Sequence, residues 1–240
     1  ADLEAQLKAA GSRRRKLIAT DGVFSMDGIS ARLNDICDVA EKYDALVMVD
    51  ESHATGVLGA RGRGAVEKEG VLQRVHIITS TFGKAMGGAS GGFTTGRKEI
   101  IEVLRQRSRT NLFSNSLAPA IAYAAHYVFT HFDTEFKDMR GALLENTTYF
   151  RSRMEQLGFT LGGDGTHPIT PVMLYEESLA VKMADVLLQK GIYVRGFTYP
   201  VVPKGKARIR VQLSAGHTKE HLDKAIAAFC EAGKELKVIS

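Results

Sequence analysis

The sequence predicts an α/β fold with a mostly parallel sheet over residues 1–125, followed by a smaller α+β domain over residues 126–240. Three observations carry this reading. Short apolar runs alternate with amphipathic stretches of helix length through the first half. The run Ala45-Leu46-Val47-Met48-Val49 is apolar without interruption, the mark of a strand covered on both faces. Beyond residue 125 the alternation gives way to one long amphipathic stretch and short isolated strands.

The elements follow in order. Ala1 opens inside a helix whose apolar positions are Leu3, Leu7 and Ala10. Lys16 to Thr20 reads as a strand that runs into a loop at Asp21-Gly22 and Asp27-Gly28. Leu33 to Lys42 has the period of a helix, with Ile36, Cys37, Val39 and Ala40 inward. The apolar strand at 45–49 is followed by a loop with Gly56, Gly59, Gly62 and Gly64. His76 to Ser80 is a further strand, and Gly83 to Gly92 a second glycine-rich stretch. Helices are expected near 97–107, 116–132, 133–157 and 177–190, and strands near 159–162, 169–175 and 207–214. A final helix over about 218–236 takes Thr218 as its N-cap.

Composition bounds the function. With 44% hydrophobic and 25% charged residues among 240, the chain can bury a core, which excludes disordered, collagenous and low-complexity classes. A membrane span is excluded as well, since Pro119 interrupts the apolar run at 118–125. Cys37 and Cys230 make no disulfide framework; both fall on helix faces, as free thiols of a reducing compartment. The 32 basic and 27 acidic residues leave a formal charge of +5, compatible with an anionic substrate. The run Arg13-Arg14-Arg15-Lys16 lacks the interleaved aromatics of a nucleic-acid binder.

Ligands of open parallel sheets sit at the carboxyl ends of the strands. The strand at 45–49 ends in Asp50, Glu51, Ser52 and His53; the strand at 76–80 ends in Thr81, Phe82, Gly83 and Lys84; the first strand leads to Ser25. An aspartate, a histidine and a lysine flanked by small residues therefore meet one edge. Gly83-Lys84 is no P-loop, because position 78 is Ile and position 85 is Ala, and Gly87 to Gly92 does not fit G-x-G-x-x-G. Asp50 and His53 lack a third ligand for a metal, and the other histidines show no ligand spacing. A lysine that forms a Schiff base, with a carboxylate holding a pyridine nitrogen protonated, is the chemistry these residue types fit.

The segments Thr20 to Gly28, Val49 to Gly56, Thr81 to Gly88, Leu112 to Ser116 and Tyr199 to Arg210 resemble the α-oxoamine synthases. These are fold-type-I pyridoxal 5'-phosphate (PLP) enzymes that join an amino acid to an acyl-CoA with loss of CoA. The resemblance implies a fold-type-I transferase with its large domain incomplete at the N-terminal side, and PLP held covalently on Lys84. Lys84 also becomes the general base, Asp50 the partner of the pyridine N–H, and His53 the partner of the ring hydroxyl. It further implies that Ser25 touches the ring region, that Thr81 and Ser114 bind the phosphate, Ser114 from the other subunit of a homodimer, and that Asn115 lies beside it. Arg210 becomes the clamp for the substrate carboxylate, although the strand pattern alone reads Arg208 and Arg210 as solvated charges.

Within the family the stretch 199–210 favours interconversion of glycine plus acetyl-CoA and 2-amino-3-ketobutyrate plus CoA, a step of threonine degradation. A synthase with another amino acid or acyl-CoA, and an inactive partner subunit of the same fold, are the alternatives. Phe82 and Met86 stand where leucines are expected, and Thr110-Asn111 where Pro-Tyr is expected. No nucleic acid, membrane or metal partner is implied. The compartment is cytoplasmic in a bacterium or the mitochondrial matrix in a eukaryote. Members are longer than this chain, so the resemblance implies a segment that lacks the phosphate-cradling loop, binds PLP weakly alone and does not turn over.

Overall fold

The computed structural model describes residues 1–87 and 90–240; Gly88 and Ala89, within the second glycine-rich stretch, lie outside the described residues. The chain divides into two compact units, Ala1–Phe24 with Ser30–Lys137, and Ser25–Ile29 with Asp138–Ser240.

The first unit is built on the sheet order β1-β4-β5-β6. Its strands are β1 (Leu17–Asp21), β4 (Leu46–Asp50), β5 (Ile77–Thr81) and β6 (Gly92–Gly96); the short strand β2 (Val23–Phe24) follows β1, and β3 (Ile29–Ser30) falls at the division of the two units. β1 pairs with β4 and β4 with β5 in parallel, and β5 pairs with β6 antiparallel. Each parallel strand lies one residue later than its sequence pattern indicated, because the ladder runs on through Asp21, Asp50 and Thr81. β6 was read as loop. Its glycines are required by pairing: a Cβ on Gly92 would stand 2.4 Å from the Ser80 carbonyl, and one on Gly96 2.5 Å from that of His76.

Registered residues of paired strands point to the same face. On one face Ile18, Val47 and Val49 are buried against Leu33, Cys37 and Ala40 of α2 (Leu33–Lys42). The other face carries Asp21, Asp50, Thr79 and Thr81 toward the carboxyl ends of the strands. α1 (Asp2–Ala10) buries Leu7, and α3 (Ala65–Lys68) buries Ala65 and Val66. The next helices, α4 (Lys98–Arg107), α5 (Arg109–Phe113) and α6 (Pro119–His131), bury among the described residues only Ala125. α6 spans position 125/126, where the texture of the sequence changes, and belongs whole to the first unit.

The second unit packs α7 (Lys137–Gln156), α8 (Glu177–Gln189) and α9 (Lys219–Glu235) with an antiparallel sheet of order β7-β9-β8. The strands are β7 (Ile169–Tyr175), β8 (Gly196–Phe197) and β9 (Ala207–Gln212). Phe150, Met154, Met183, Leu187, Ile209 and Phe229 form its core. The strand expected at 159–162 is a single bridge, Leu161 to Val172, and the expected helix 133–157 starts only at Lys137. Thr218 caps α9 as expected: its hydroxyl accepts the His221 N–H, and the His221 ring accepts the Thr218 N–H. Both cysteines are free, Cys37 buried in α2 and Cys230 half-buried in α9. Burial pushes the Cys37 thiol pKa upward.

Candidate active site

The end of β4 places two neighbouring carboxylates in opposite circumstances. Glu51 is fully buried, and its two oxygens accept the Ala65 N–H at 2.9 Å and the Val66 N–H at 2.8 Å, which satisfies the first turn of α3. Gly22 and Gly64 leave room for it: a Cβ at either would lie 2.7 Å or 2.4 Å from Glu51 Oε2. Burial raises the Glu51 pKa against those two hydrogen bonds, and the charge of Asp50 adds to the rise. Asp50 is half-buried; its Oδ1 accepts the Ser52 N–H at 2.8 Å, which fixes the carboxylate and leaves Oδ2 to other donors.

Asp50 stands in a row across the sheet. Asp21 of β1 is its registered neighbour on one side, Thr79 of β5 on the other. The Asp21 pKa is raised, first by partial burial and then by the charge of Asp50, while the Lys84 ammonium opposes the rise. Asp21, Asp50 and Lys84 therefore share one electrostatic neighbourhood. Sequence reading missed Asp21, which it took for a turn residue; its place at the end of the first strand, beside a strand ending in aspartate, was the available signal.

Lys84 follows β5 in a short turn, and its Nζ lies 3.1 Å from Nε2 of His53. Thr81, three residues before it, uses its hydroxyl inside the loop, accepting the Gly83 N–H and donating to the Gly91 carbonyl, each at 3.1 Å. The structure thus gathers Asp50, His53, Thr81 and Lys84 in the first unit. Ser114 and Asn115, also of that unit, are exposed in the segment after α5.

The remaining two residues fall in the second unit, where Arg210 Nη1 donates to the Ser25 carbonyl at 3.1 Å. The expectation of two solvated arginines on β9 fails. Arg208 is 4% exposed: it donates from Nη1 to the Met26 carbonyl at 3.0 Å and to the Asp27 carboxylate, and from Nε to the Lys206 carbonyl at 2.9 Å. Arg210 is different. Its guanidinium lies 5.3 Å from the Phe197 ring centre, its Nε is buried without a partner among the described residues, and burial lowers its pKa. It lines a cavity of about 500 Å³ with Tyr193, Phe197, His217 and Lys224.

Four of the seven histidines have local duties. His76, His167, His217 and His221 each accept a backbone N–H at Nδ1. Among the described residues no group of three His, Cys, Asp or Glu is arranged for a metal, and no helix is long and apolar enough to cross a membrane.

The family of class I and II aminotransferases matches residues 1–229. The chain belongs to that family. Among curated proteins it is 55% identical over 241 residues to the 2-amino-3-ketobutyrate coenzyme A ligase of Escherichia coli K12, covering all of this chain and 60% of that protein. It is likewise 55% identical over 234 residues to the mitochondrial 2-amino-3-ketobutyrate coenzyme A ligase of Mus musculus, covering 98% of this chain and 56% of that protein. A solved serine palmitoyltransferase from S. paucimobilis, with a bound PLP–myriocin aldimine, superposes with a TM-score of 0.93 at 30% identity, over 99% of this chain and 60% of that one. The fold-type-I transferase architecture expected from the sequence is the one observed. The chain spans about 60% of the length of the E. coli relative it matches.

Proposed function

We propose that this chain serves a PLP-dependent acyltransferase that interconverts glycine plus acetyl-CoA and 2-amino-3-ketobutyrate plus CoA, as the names of its relatives and the stretch 199–210 suggest. The observation that carries the reading is the approach of the Lys84 amine to His53, 3.1 Å away, beside a strand edge that ends in Asp50.

The donor set fits the cofactor. Asp50 keeps an oxygen free for a protonated ring nitrogen while Ser52 holds the other, and Thr79 directs a buried hydroxyl with no partner to the same sheet face. PLP, when bound, supplies an electron sink for the pair left on a substrate α-carbon. Lys84 would hold the cofactor through Nζ and, with that amine free, would take and return the substrate α-proton at the same atom. His53, 3.1 Å from that amine, would orient it and would hydrogen-bond the ring hydroxyl. Thr81 takes the phosphate by turning its O–H from the Gly91 carbonyl. Ser114 adds a further phosphate contact, in the partner's site of a homodimer, with Asn115 beside it. By the resemblance Ser25 would touch the ring region, and Arg210 would take the carboxylate of glycine, a bidentate task suited to a guanidinium.

The test is absorption and turnover of the holoprotein. Incubation with PLP should give a visible absorption band that borohydride fixes on Lys84, and Lys84→Ala should abolish both the band and CoA release from glycine and acetyl-CoA. Absence of the band in the full-length wild-type protein given excess PLP would refute the PLP reading. Faster turnover with a longer acyl-CoA would keep the chemistry and move the substrate to another synthase.

A further inference from the structure

Thr79 sits on β5 in register with Asp50 on β4, so the two side chains share one face of the sheet at neighbouring positions. Its backbone is fully committed to that place: the Thr79 carbonyl accepts the Glu51 N–H at 2.7 Å, continuing the ladder beyond Asp50. Its hydroxyl is not. Oγ1 is buried and has no hydrogen-bond partner among the described residues. A buried hydroxyl without a partner is unfavourable, and at this position a valine would fill the same shape at no such cost. Thr94, the registered residue on β6, is exposed and offers Oγ1 no bond. Its registered neighbour on β4, Asp50, carries a carboxylate whose Oδ1 accepts the Ser52 N–H, with no bond to Oδ2 among the described residues.

We propose that Thr79 is a positioning residue that acts through Asp50. Its hydroxyl donates to the Asp50 carboxylate when that carboxylate receives the ring N–H of the cofactor, so that Ser52 and Thr79 hold the acid from two sides. A carboxylate accepts several hydrogen bonds at once, and a second donor fixes the plane in which the remaining lone pair faces the ring. This inference rests on the PLP reading above.

Three measurements on Thr79→Val, made in the full-length protein, test it. Cofactor affinity, read as PLP retained after dialysis against graded PLP, should fall about tenfold, the effect of one hydrogen bond to a charged group. The apoprotein should melt about 2 °C higher, because the unpartnered hydroxyl is gone. Thr79→Ser should restore the affinity. In an Asp50→Asn background the same Thr79→Val change should have no further effect on affinity, since the two residues act as one unit. Unchanged affinity in Thr79→Val, with the wild type binding PLP normally, overturns the inference and leaves the PLP reading intact. An additive loss in the Asp50→Asn background also overturns it, by assigning Thr79 a role apart from Asp50. Failure of the wild type to take up PLP overturns both.

Discussion

The carboxyl edge of β4 and the middle of β9 each carry two ionisable residues of one sign close together, and in both places the pair divides by how its hydrogen-bonding capacity is used. At β4, Glu51 is fully buried with both oxygens bonded to α3, whereas Asp50 keeps an oxygen unengaged. At β9, Arg208 is 4% exposed and bonded at both Nε and Nη1, whereas Arg210 holds a buried Nε without a partner. The more deeply buried member of each pair is the structural one. A buried charge is tolerated only when its bonds are complete. Residual capacity therefore collects on the less buried neighbour, and that neighbour is the one able to meet a ligand.

Exchanging the roles at β4 should break this comparison most severely. Glu51→Ala leaves the N–H groups of Ala65 and Val66 buried and unpaired and opens a cavity, at a cost of about 3–5 kcal/mol. Asp50→Asn removes a charge whose carboxylate, among the described residues, accepts the Ser52 N–H alone, and should shift stability by less than about 1 kcal/mol. Retention of PLP should reverse the order, with Asp50→Asn holding the cofactor measurably more weakly and any folded Glu51→Ala keeping it. Urea unfolding of the apoproteins and dialysis of the holoproteins measure the two effects separately. Equal destabilisation by both substitutions would show that Asp50, too, is structural.

At β9 the contrast should be smaller, because Asp27 is half-exposed and water can replace part of what Arg208 supplies. Arg208→Ala is expected to cost about 2–3 kcal/mol, mostly from the carbonyls of Met26 and Lys206 left without their donor. Arg210→Lys should leave the melting temperature nearly unchanged and raise KM for glycine about tenfold, because an ammonium does not reproduce a guanidinium fork. A stable Arg208→Ala with impaired glycine binding would invert the assignment made for the two arginines.

What the sequence disclosed follows the range of the interactions involved. The helix Leu33–Lys42, the apolar strand before Asp50 and the cap at Thr218 rest on periodicity and nearest neighbours, and all three stand in the structure. The candidates Asp50, His53 and Lys84 could be named because each follows a legible strand by one to four residues. Glu51 could not be told from Asp50, since its partners lie 14 and 15 residues away across a glycine-rich loop. Arg208 was more remote still, bonded to Asp27 at a separation of 181 residues. β6 was hidden by its own glycines, which read as loop until the close approach of β5 explains them. Asp21 acquires its meaning only from strand register, which no single strand's pattern contains.

The finest test of the division at β4 is its pH dependence. Burial raises the Glu51 pKa in the folded protein, so the folded state holds that proton more tightly than the unfolded chain does. The contribution is therefore fully present below the unfolded carboxylate value and is lost as pH rises through the raised folded value. Glu51→Gln, which does not titrate, supplies the reference. The stability of the wild type relative to Glu51→Gln should increase as pH falls from neutrality through the carboxylate range, measured by urea midpoints at matched ionic strength. This effect should be the smallest of the three, because the hydrogen bonds from Ala65 and Val66 favour the ionised form and oppose the burial term. A difference that shrinks on acidification would mean that those two bonds outweigh burial, making Glu51 a fixed negative charge beneath Asp50.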